Sequence, residues 1–315
     1  MHEVQRAGRV AGLELLAAAL VAAVVARTWI GGAFTSPRAQ EWVTVFVAIV
    51  VQAMPFVVLG TLLSAAIATL VPERFFARAL PSRPALAVPV AGVAGLALPG
   101  CECASVPVAG ALMRRGVTPA AALAFLLAAP AINPVVLAAT AVAFPGRPMM
   151  VAARLVASLA TSLAMGWLWL RLGRDDLLRI PRRAPMSFFV AVREDAASAA
   201  GFLVIGAAAA ACLNVLVPPR WLHTLAAHPA IAVVALAGLA VLLSICSEAD
   251  AFVAASLAQF SLTARLAFLV VGPMVDLKLF AMQAGTFGRR FAVRFAPATF
   301  AVGVAIAALT GAVLL

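Results

Sequence analysis

Runs of apolar residues long enough to cross a bilayer and nearly free of charge constrain this chain more than any other feature. They fall near residues 10–30, 43–71, 117–143, 149–172, 194–217, 262–285 and 293–315. A helix of about 20 such residues spans the hydrocarbon core, and within lipid only helices and closed barrels satisfy every backbone group. The runs are continuous rather than alternating, which selects helices. The expected fold is therefore an all-α integral membrane protein. Composition agrees: 65% of the 315 residues are apolar, 11% are charged and the mean hydropathy is +1.09, whereas soluble domains are about half apolar and a quarter charged. Two shorter apolar runs, 85–99 and 229–245, are each followed by a polar-punctuated stretch, 100–115 and 246–261. These pairs read as broken or re-entrant helices.

The net charge of +11 does not point to nucleic acid, because no basic soluble domain carries it. The basic residues are almost all arginine and most sit between apolar runs, which is how membrane topology is set. If each broken pair returns to its starting side, sixteen arginines share one side: Arg6, Arg9, Arg74, Arg78, Arg83, Arg114, Arg115, Arg171, Arg174, Arg179, Arg182, Arg183, Arg193, Arg289, Arg290 and Arg294. Six remain opposite: Arg27, Arg38, Arg147, Arg154, Arg220 and Arg265. Counting each pair as one crossing gives an even split, which violates the positive-inside rule. The N-terminus is thus expected in the cytoplasm and the C-terminus outside a bacterial inner (cytoplasmic) membrane. Trp29, Trp42, Trp167, Trp169 and Trp221 fall near predicted span ends, where interfacial anchors belong. The first run is read as an uncleaved span rather than a signal peptide.

The two halves repeat. Residues 103–134 align without a gap on 246–277 at an offset of 143, matching Cys103 with Cys246, Leu123-Ala124-Phe125-Leu126 with Leu266-Ala267-Phe268-Leu269, Pro130 with Pro273 and Asn133 with Asp276. At an offset of 146, Phe56 and Gly60 match Phe202 and Gly206, and Val71-Pro72-x-Arg74 matches Val217-Pro218-x-Arg220. With the charge pattern this predicts two inverted repeats, 41–172 and 194–315, joined by a cytoplasmic linker at 173–193 and preceded by an extra N-terminal helix and loop at 1–40. Inverted repeats with interrupted helices are the architecture of secondary transporters, whose sites lie at the breaks near the bilayer midplane.

Both breaks carry polar residues that are costly in lipid. In the first half Pro99-Gly100 ends one helix, and a second is expected from Cys101-Glu102-Cys103-Ala104-Ser105 to Arg115. In the second half Cys246-Ser247-Glu248-Ala249-Asp250 holds the matching place, with Ser247 and Asp250 at capping-box spacing. Pro130 and Pro273 are expected to break the long helices just before Asn133 and Asp276, freeing carbonyls for an ion or substrate. Lys278 stands two residues from Asp276, so the two do not share a helix face, and a carboxylate of another segment is its expected partner. The candidate substrate site is Cys101, Glu102, Cys103, Ser105, Pro130, Asn133, Cys246, Ser247, Glu248, Asp250, Pro273, Asp276 and Lys278. Cys212 reads as apolar filler. His2, His223 and His228 lie away from the cysteines, so no zinc site is expected. Nor does the sequence imply a cofactor.

At these motifs the chain resembles a family of bacterial predicted permeases that includes the organoarsenical efflux permeases. Carrying the resemblance are Cys101-x-Cys103-x-x-x-Pro107, Leu123-Ala124-Phe125-Leu126 to Pro130-Ala131-Ile132-Asn133-Pro134, Cys246-Ser247-x-Ala249-Asp250-Ala251-Phe252 and Gly272-Pro273-Met274-x-Asp276-x-Lys278. The resemblance implies a permease that exports trivalent organoarsenicals or another soft, thiol-seeking solute. Glu102 and Ala104 depart from it, standing where many relatives carry a small residue and a glycine. The expected function is alternating-access transport of a small molecule or ion, with the lipid bilayer as the main partner and a homo-oligomer left open. Two other readings compete. A thiol–disulfide electron carrier would use Cys103 and Cys246. An intramembrane enzyme would use the carboxylates, but no nucleophile–base constellation supports it.

Overall fold

The computed structural model describes residues 37–72, 75, 79–97, 102–173, 177–178, 187–216, 229–247 and 249–315. The predicted N-terminal span, Cys101, Glu248, Trp29, Trp221, His2, His223, His228 and most of the 173–193 linker lie outside them. The described residues form twelve α-helices: α1 (Pro37–Leu70), α2 (Pro84–Ala94), α3 (Glu102–Arg114), α4 (Pro119–Ile132), α5 (Pro134–Ala143), α6 (Pro148–Leu172), α7 (Phe188–Leu216), α8 (Pro229–Leu243), α9 (Asp250–Ser256), α10 (Leu262–Val271), α11 (Leu277–Phe287) and α12 (Arg289–Leu314). A 3-10 turn, Gly95–Ala97, continues α2. Six of these helices begin at proline, whose missing N–H falls where a helix has no use for one.

Length separates two kinds of element. α1, α6, α7 and α12 are single helices long and apolar enough to cross a membrane, and α4 with α5 forms a fifth crossing interrupted at Asn133. α2, α3, α8, α9, α10 and α11 hold 7 to 15 residues. At 1.5 Å per residue even the longest reaches only about 22 Å, short of the ~30 Å hydrocarbon core. These are half-helices that meet end to end. α7 begins at Phe188 rather than at 194. The apolar Phe188-Phe189-Val190 extends the span, and the charges that follow are accommodated because Asp195 finds partners inside the protein.

The packing repeats as the sequence does. α2 lies on α4 as α8 lies on α10; α4 on α6 as α10 on α12; α2 on α6 as α8 on α12; α3 on α4 as α9 on α10; α5 on α6 as α11 on α12. Two junctions cross between the halves, α3 against α11 and α5 against α9, and the long helices pair as α1 with α7 and α6 with α12. The pattern departs from symmetry in one place. α1 packs on α3 and α7 on α11, while their counterparts, α7 with α9 and α1 with α5, make no comparable contact.

Glycine permits the close approaches of α1 and α7. A Cβ on Gly60 would lie 2.5 Å from the Ala104 backbone, and one on Gly206 would strike the Lys278 backbone. These are the glycines paired at an offset of 146. The α1–α7 pair is also tied by the Trp42 indole, which donates to Cys212 Sγ at 3.1 Å. Cys212 is exposed on α7. α4 is buried along its whole length after Pro119. It forms the centre of the core with α10, whose Leu266 to Val271 are likewise buried.

Candidate functional site

Both breaks come together at Lys278. Asp276 is the N-cap of α11, where its Oδ1 accepts the Leu279 N–H at 2.6 Å. One residue into the helix, Lys278 is 2% exposed. Its Nζ lies 2.5 Å from Glu102 Oε1 across the α3–α11 junction and 3.6 Å from Asp276 Oδ2. The expected pairing with another segment is thus found, and that segment is the first turn of α3. Asp276 also reaches Lys278, because a cap residue stands outside the helical spacing that separates positions i and i+2. The Glu102 contact is an ion pair without hydrogen-bond alignment: Oε1 and Oε2 of Glu102, and Oδ2 of Asp276, accept no hydrogen bond among the described residues.

Two thiols neighbour the same ammonium. Cys103 and Cys246, one from each half, are buried free thiols, and both lie within electrostatic range of Lys278. The second break is strained where it meets α11. Ser244 holds φ 48°, the one positive φ among described non-glycine residues. Its hydroxyl accepts the Leu277 N–H at 3.3 Å and donates to the Val241 carbonyl at 2.9 Å. Left-handed backbone costs a serine of order 1 kcal/mol and persists where the surroundings impose it.

A second buried ion pair lies at the other cross-half junction, and the sequence reading missed one of its members. Arg154, in the second turn of α6, is completely buried. It clamps Asp250 bidentately, Nη1 to Oδ1 at 3.0 Å and Nη2 to Oδ2 at 2.8 Å. It also donates to Thr140 Oγ1 of α5 at 2.9 Å and to the Ser247 carbonyl at 3.3 Å. The sequence placed Arg154 within the span 149–172 but gave it no role in the site. It follows Arg147 and Pro148 by under two turns and so looked terminal, but Asp250 draws it into the protein. The available signal was Asp250 itself, since an intramembrane carboxylate requires a partner.

Other expectations are corrected locally. Ser247 and Asp250 form no capping box: the N-cap of α9 is Ala249, with no side-chain bond, and Ser247 Oγ is buried without a partner. Arg154 takes the Asp250 carboxylate that a box would have used. Pro130 does not break its helix; α4 runs through it to Ile132. At the break Asn133 Nδ2 donates to the Ala129 carbonyl at 3.2 Å while its Oδ1 accepts the Val136 N–H at 3.0 Å. Pro273 lies in the buried turn between α10 and α11. Ser105 spends its hydroxyl on the Glu102 carbonyl at 2.9 Å.

A third polar layer joins α1, α3 and α7. Ser64 Oγ donates to Asp195 Oδ2 at 2.7 Å, and Arg114 Nη2 lies 3.3 Å from Ser64 Oγ and 3.6 Å from Asp195 Oδ2. Twelve positions of α3 separate Arg114 from Glu102, about 18 Å along the axis. Among the described residues no group of three or more His, Cys, Asp or Glu side chains is arranged to hold a metal ion.

Comparison with known proteins agrees with this arrangement. Residues 38–312 match the ArsP_1 family, described as predicted permeases. The UPF0718 protein YcgR of Bacillus subtilis (strain 168) is 35% identical over 270 residues, covering 79% of this chain and 89% of the relative. A putative two-component membrane permease complex subunit of Streptococcus mutans serotype c (strain ATCC 700610 / UA159) is 30% identical over 270 residues, covering 81% and 90%. No solved structure matches. Spanning helices, interrupted helices meeting at a buried polar centre and a family match over most of its length show that the chain belongs to the ArsP_1 family of multi-pass membrane permeases, proteins that move a small solute rather than catalyse a reaction.

Proposed function

We propose that this permease carries a soft, thiol-seeking solute, such as a trivalent organoarsenical, by alternating access between inverted repeats at 41–172 and 194–315. The linker at 173–193 would lie in the cytoplasm. The observation that carries the reading is that each half supplies one buried free thiol, Cys103 and Cys246, both within electrostatic range of the Lys278 ammonium. Two thiols from different halves suit a ligand that prefers sulfur, and motion of one half against the other would make and break the site. Cys101 and Glu248 adjoin the breaks in sequence and complete the candidate set.

The asymmetry of α1 and α7 supports the motion. With the arginine-rich side in the cytoplasm, α3 runs from the centre down to Arg114, and α11 runs down towards Arg289 and Arg290. The halves α5 and α9 run the other way. α1 and α7 seal α3 and α11, with Ser64, Arg114 and Asp195 as the lower latch. α5 and α9 are less covered, with Val135, Val142 and Phe252 half or more exposed. Exchanging the conformations of two inverted repeats gives the opposite state, in which α1 meets α5 and α7 meets α9.

The test is export of methylarsenous acid from liposomes holding the purified protein, with Cys103→Ser and Cys246→Ser. The expected result is loss of transport in either variant; unchanged transport in both overturns the thiol role. Thiol trapping in cells separates the electron-carrier reading, which needs a Cys103–Cys246 disulfide that cycles.

A further inference from the structure

Asp276 carries a charge that the fold does not need. Its structural duty is to cap α11 through Oδ1. The internal repeat shows the same duty done by a neutral side chain: Asn133 caps α5 with its Oδ1 on the Val136 N–H and turns its amide back onto the Ala129 carbonyl. An acceptor is required at this position and a carboxylate is not. Yet Asp276 is 1% exposed beside a second carboxylate, Glu102, which is completely buried. Uncompensated buried charge is expensive, so a surplus of this kind calls for an occupant.

The charge count identifies it. Glu102 and Asp276 together carry two negative charges and Lys278 one positive, so the buried cluster is left one charge short of neutral. The ammonium already fills the position between the two carboxylates, at 2.5 Å from one and 3.6 Å from the other. Glu102 takes the closer ion pair. Asp276 Oδ2 has the longer contact and no hydrogen bond.

Among the described residues the surroundings add no other counter-charge. From α3 the facing groups are Glu102 and Cys103, from the second break Cys246, and from α11 Lys278. α7 meets Lys278 through Gly206, and its buried Asp195 lies eleven positions away with Arg114 and Ser64. On α1, Gly60 faces Ala104 at this level. Asp250 beyond the second break is held by Arg154. Arg265 lies over the Phe144 ring, and on α12 Arg289, Arg290 and Arg294 are exposed.

Building on the permease reading, we infer that Asp276 Oδ2 is the site of a coupling proton. The carboxylate takes up one proton when the site is open to one side and releases it on the other, so the Glu102–Lys278–Asp276 cluster cycles between net charge minus one and zero. Binding forms an O–H bond on Asp276 and releasing the proton regenerates the carboxylate; no other reactant is needed.

The test reads the proton without any solute. Infrared difference spectra of the full-length protein in liposomes, stepped from alkaline to mildly acidic buffer, are expected to show a protonated carboxyl band that shifts when aspartate is isotopically labelled and not when glutamate is. In Asp276→Asn the band disappears while the melting behaviour is kept, since asparagine makes this cap at residue 133. The proposal is overturned if the band follows the glutamate label, if it persists in Asp276→Asn, or if the labelled wild type shows no titrating carboxyl. Should Asp276→Asn fail to fold, the label experiment on the wild type still decides. In the same liposomes, export of methylarsenous acid is expected to respond to a pH gradient in the wild type and not in Asp276→Asn. A wild type that titrates but moves no arsenical refutes the substrate class and leaves the proton site standing.

Discussion

Arg154→Met tests how the two halves are locked on the side away from Lys278. The guanidinium makes four hydrogen bonds, two of them to Asp250 at 2.8 and 3.0 Å, and is completely buried. Methionine keeps the bulk of the stem and leaves Asp250 without its counter-ion. Breaking one side of a buried pair costs about 3–5 kcal/mol. An independent estimate agrees: the carboxyl can escape its charge by binding a proton, and neutralising an ordinary carboxylate, pKa about 3.9, at pH 7 costs about 4 kcal/mol at 1.36 kcal/mol per unit. Adding Asp250→Asn removes the orphaned charge. The Ser247 carbonyl still loses a donor, for about 1 kcal/mol, whereas Thr140 keeps its own bond to the Val136 carbonyl at 2.8 Å. The single variant is therefore expected to lose about 4 kcal/mol and the double variant about 1–2 kcal/mol, so that adding Asp250→Asn recovers about 2–3 kcal/mol in the Arg154→Met background. Equilibrium unfolding in mixed detergent micelles measures all the corners of the cycle. A single variant within about 1 kcal/mol of wild type, or a double variant no more stable than the single, would refute the assignment of Arg154 as the buried partner of Asp250.

Three further outcomes are expected. Gly206→Ala forces a Cβ onto the Lys278 backbone and should cost about 1–3 kcal/mol, whereas Gly201→Ala, which meets nothing within 4 Å, should be neutral or stabilising; equal effects in melting experiments would sink the α7–α11 contact. Ser64→Ala removes the hydroxyl bonded to Asp195 at 2.7 Å and should lose about 1–2 kcal/mol, and no measurable loss in the same unfolding assay would remove the lower latch. Maleimide labelling followed by peptide mass spectrometry should find exposed Cys212 modified long before buried Cys103 and Cys246; the reverse order would contradict the burial of the two site thiols.

Much of the architecture was legible because lipid leaves few choices. Apolar runs had to be helices, and the prolines and polar residues at 99–107 and 244–252 had to mark interruptions. Lys278 needed a carboxylate from elsewhere and found Glu102. Local chemistry was read less well where a residue had two possible uses. Asn133 sits beside a proline-rich break that read as a place for a ligand, yet its amide is spent on the Ala129 carbonyl and the Val136 N–H. Ser247 and Asp250 have capping spacing, but Asp250 gains more from a guanidinium than from a backbone N–H.

The sequence by itself determined that this is a helical membrane protein built from two related halves with polar breaks, because apolar run length, arginine distribution and the offset of 143 are one-dimensional quantities. Only the tertiary structure decided who meets whom. It paired Glu102 with Lys278 and Arg154 with Asp250, each across the halves, buried Cys103 and Cys246 within electrostatic range of one ammonium, and laid α1 and α7 on one junction rather than both. These are contacts between residues far apart in the chain, and no local spacing encodes them. The glycines at 60 and 206 show the division plainly: their repetition was visible as a pattern, but that one accommodates Ala104 and the other Lys278 follows only from how closely the helices approach.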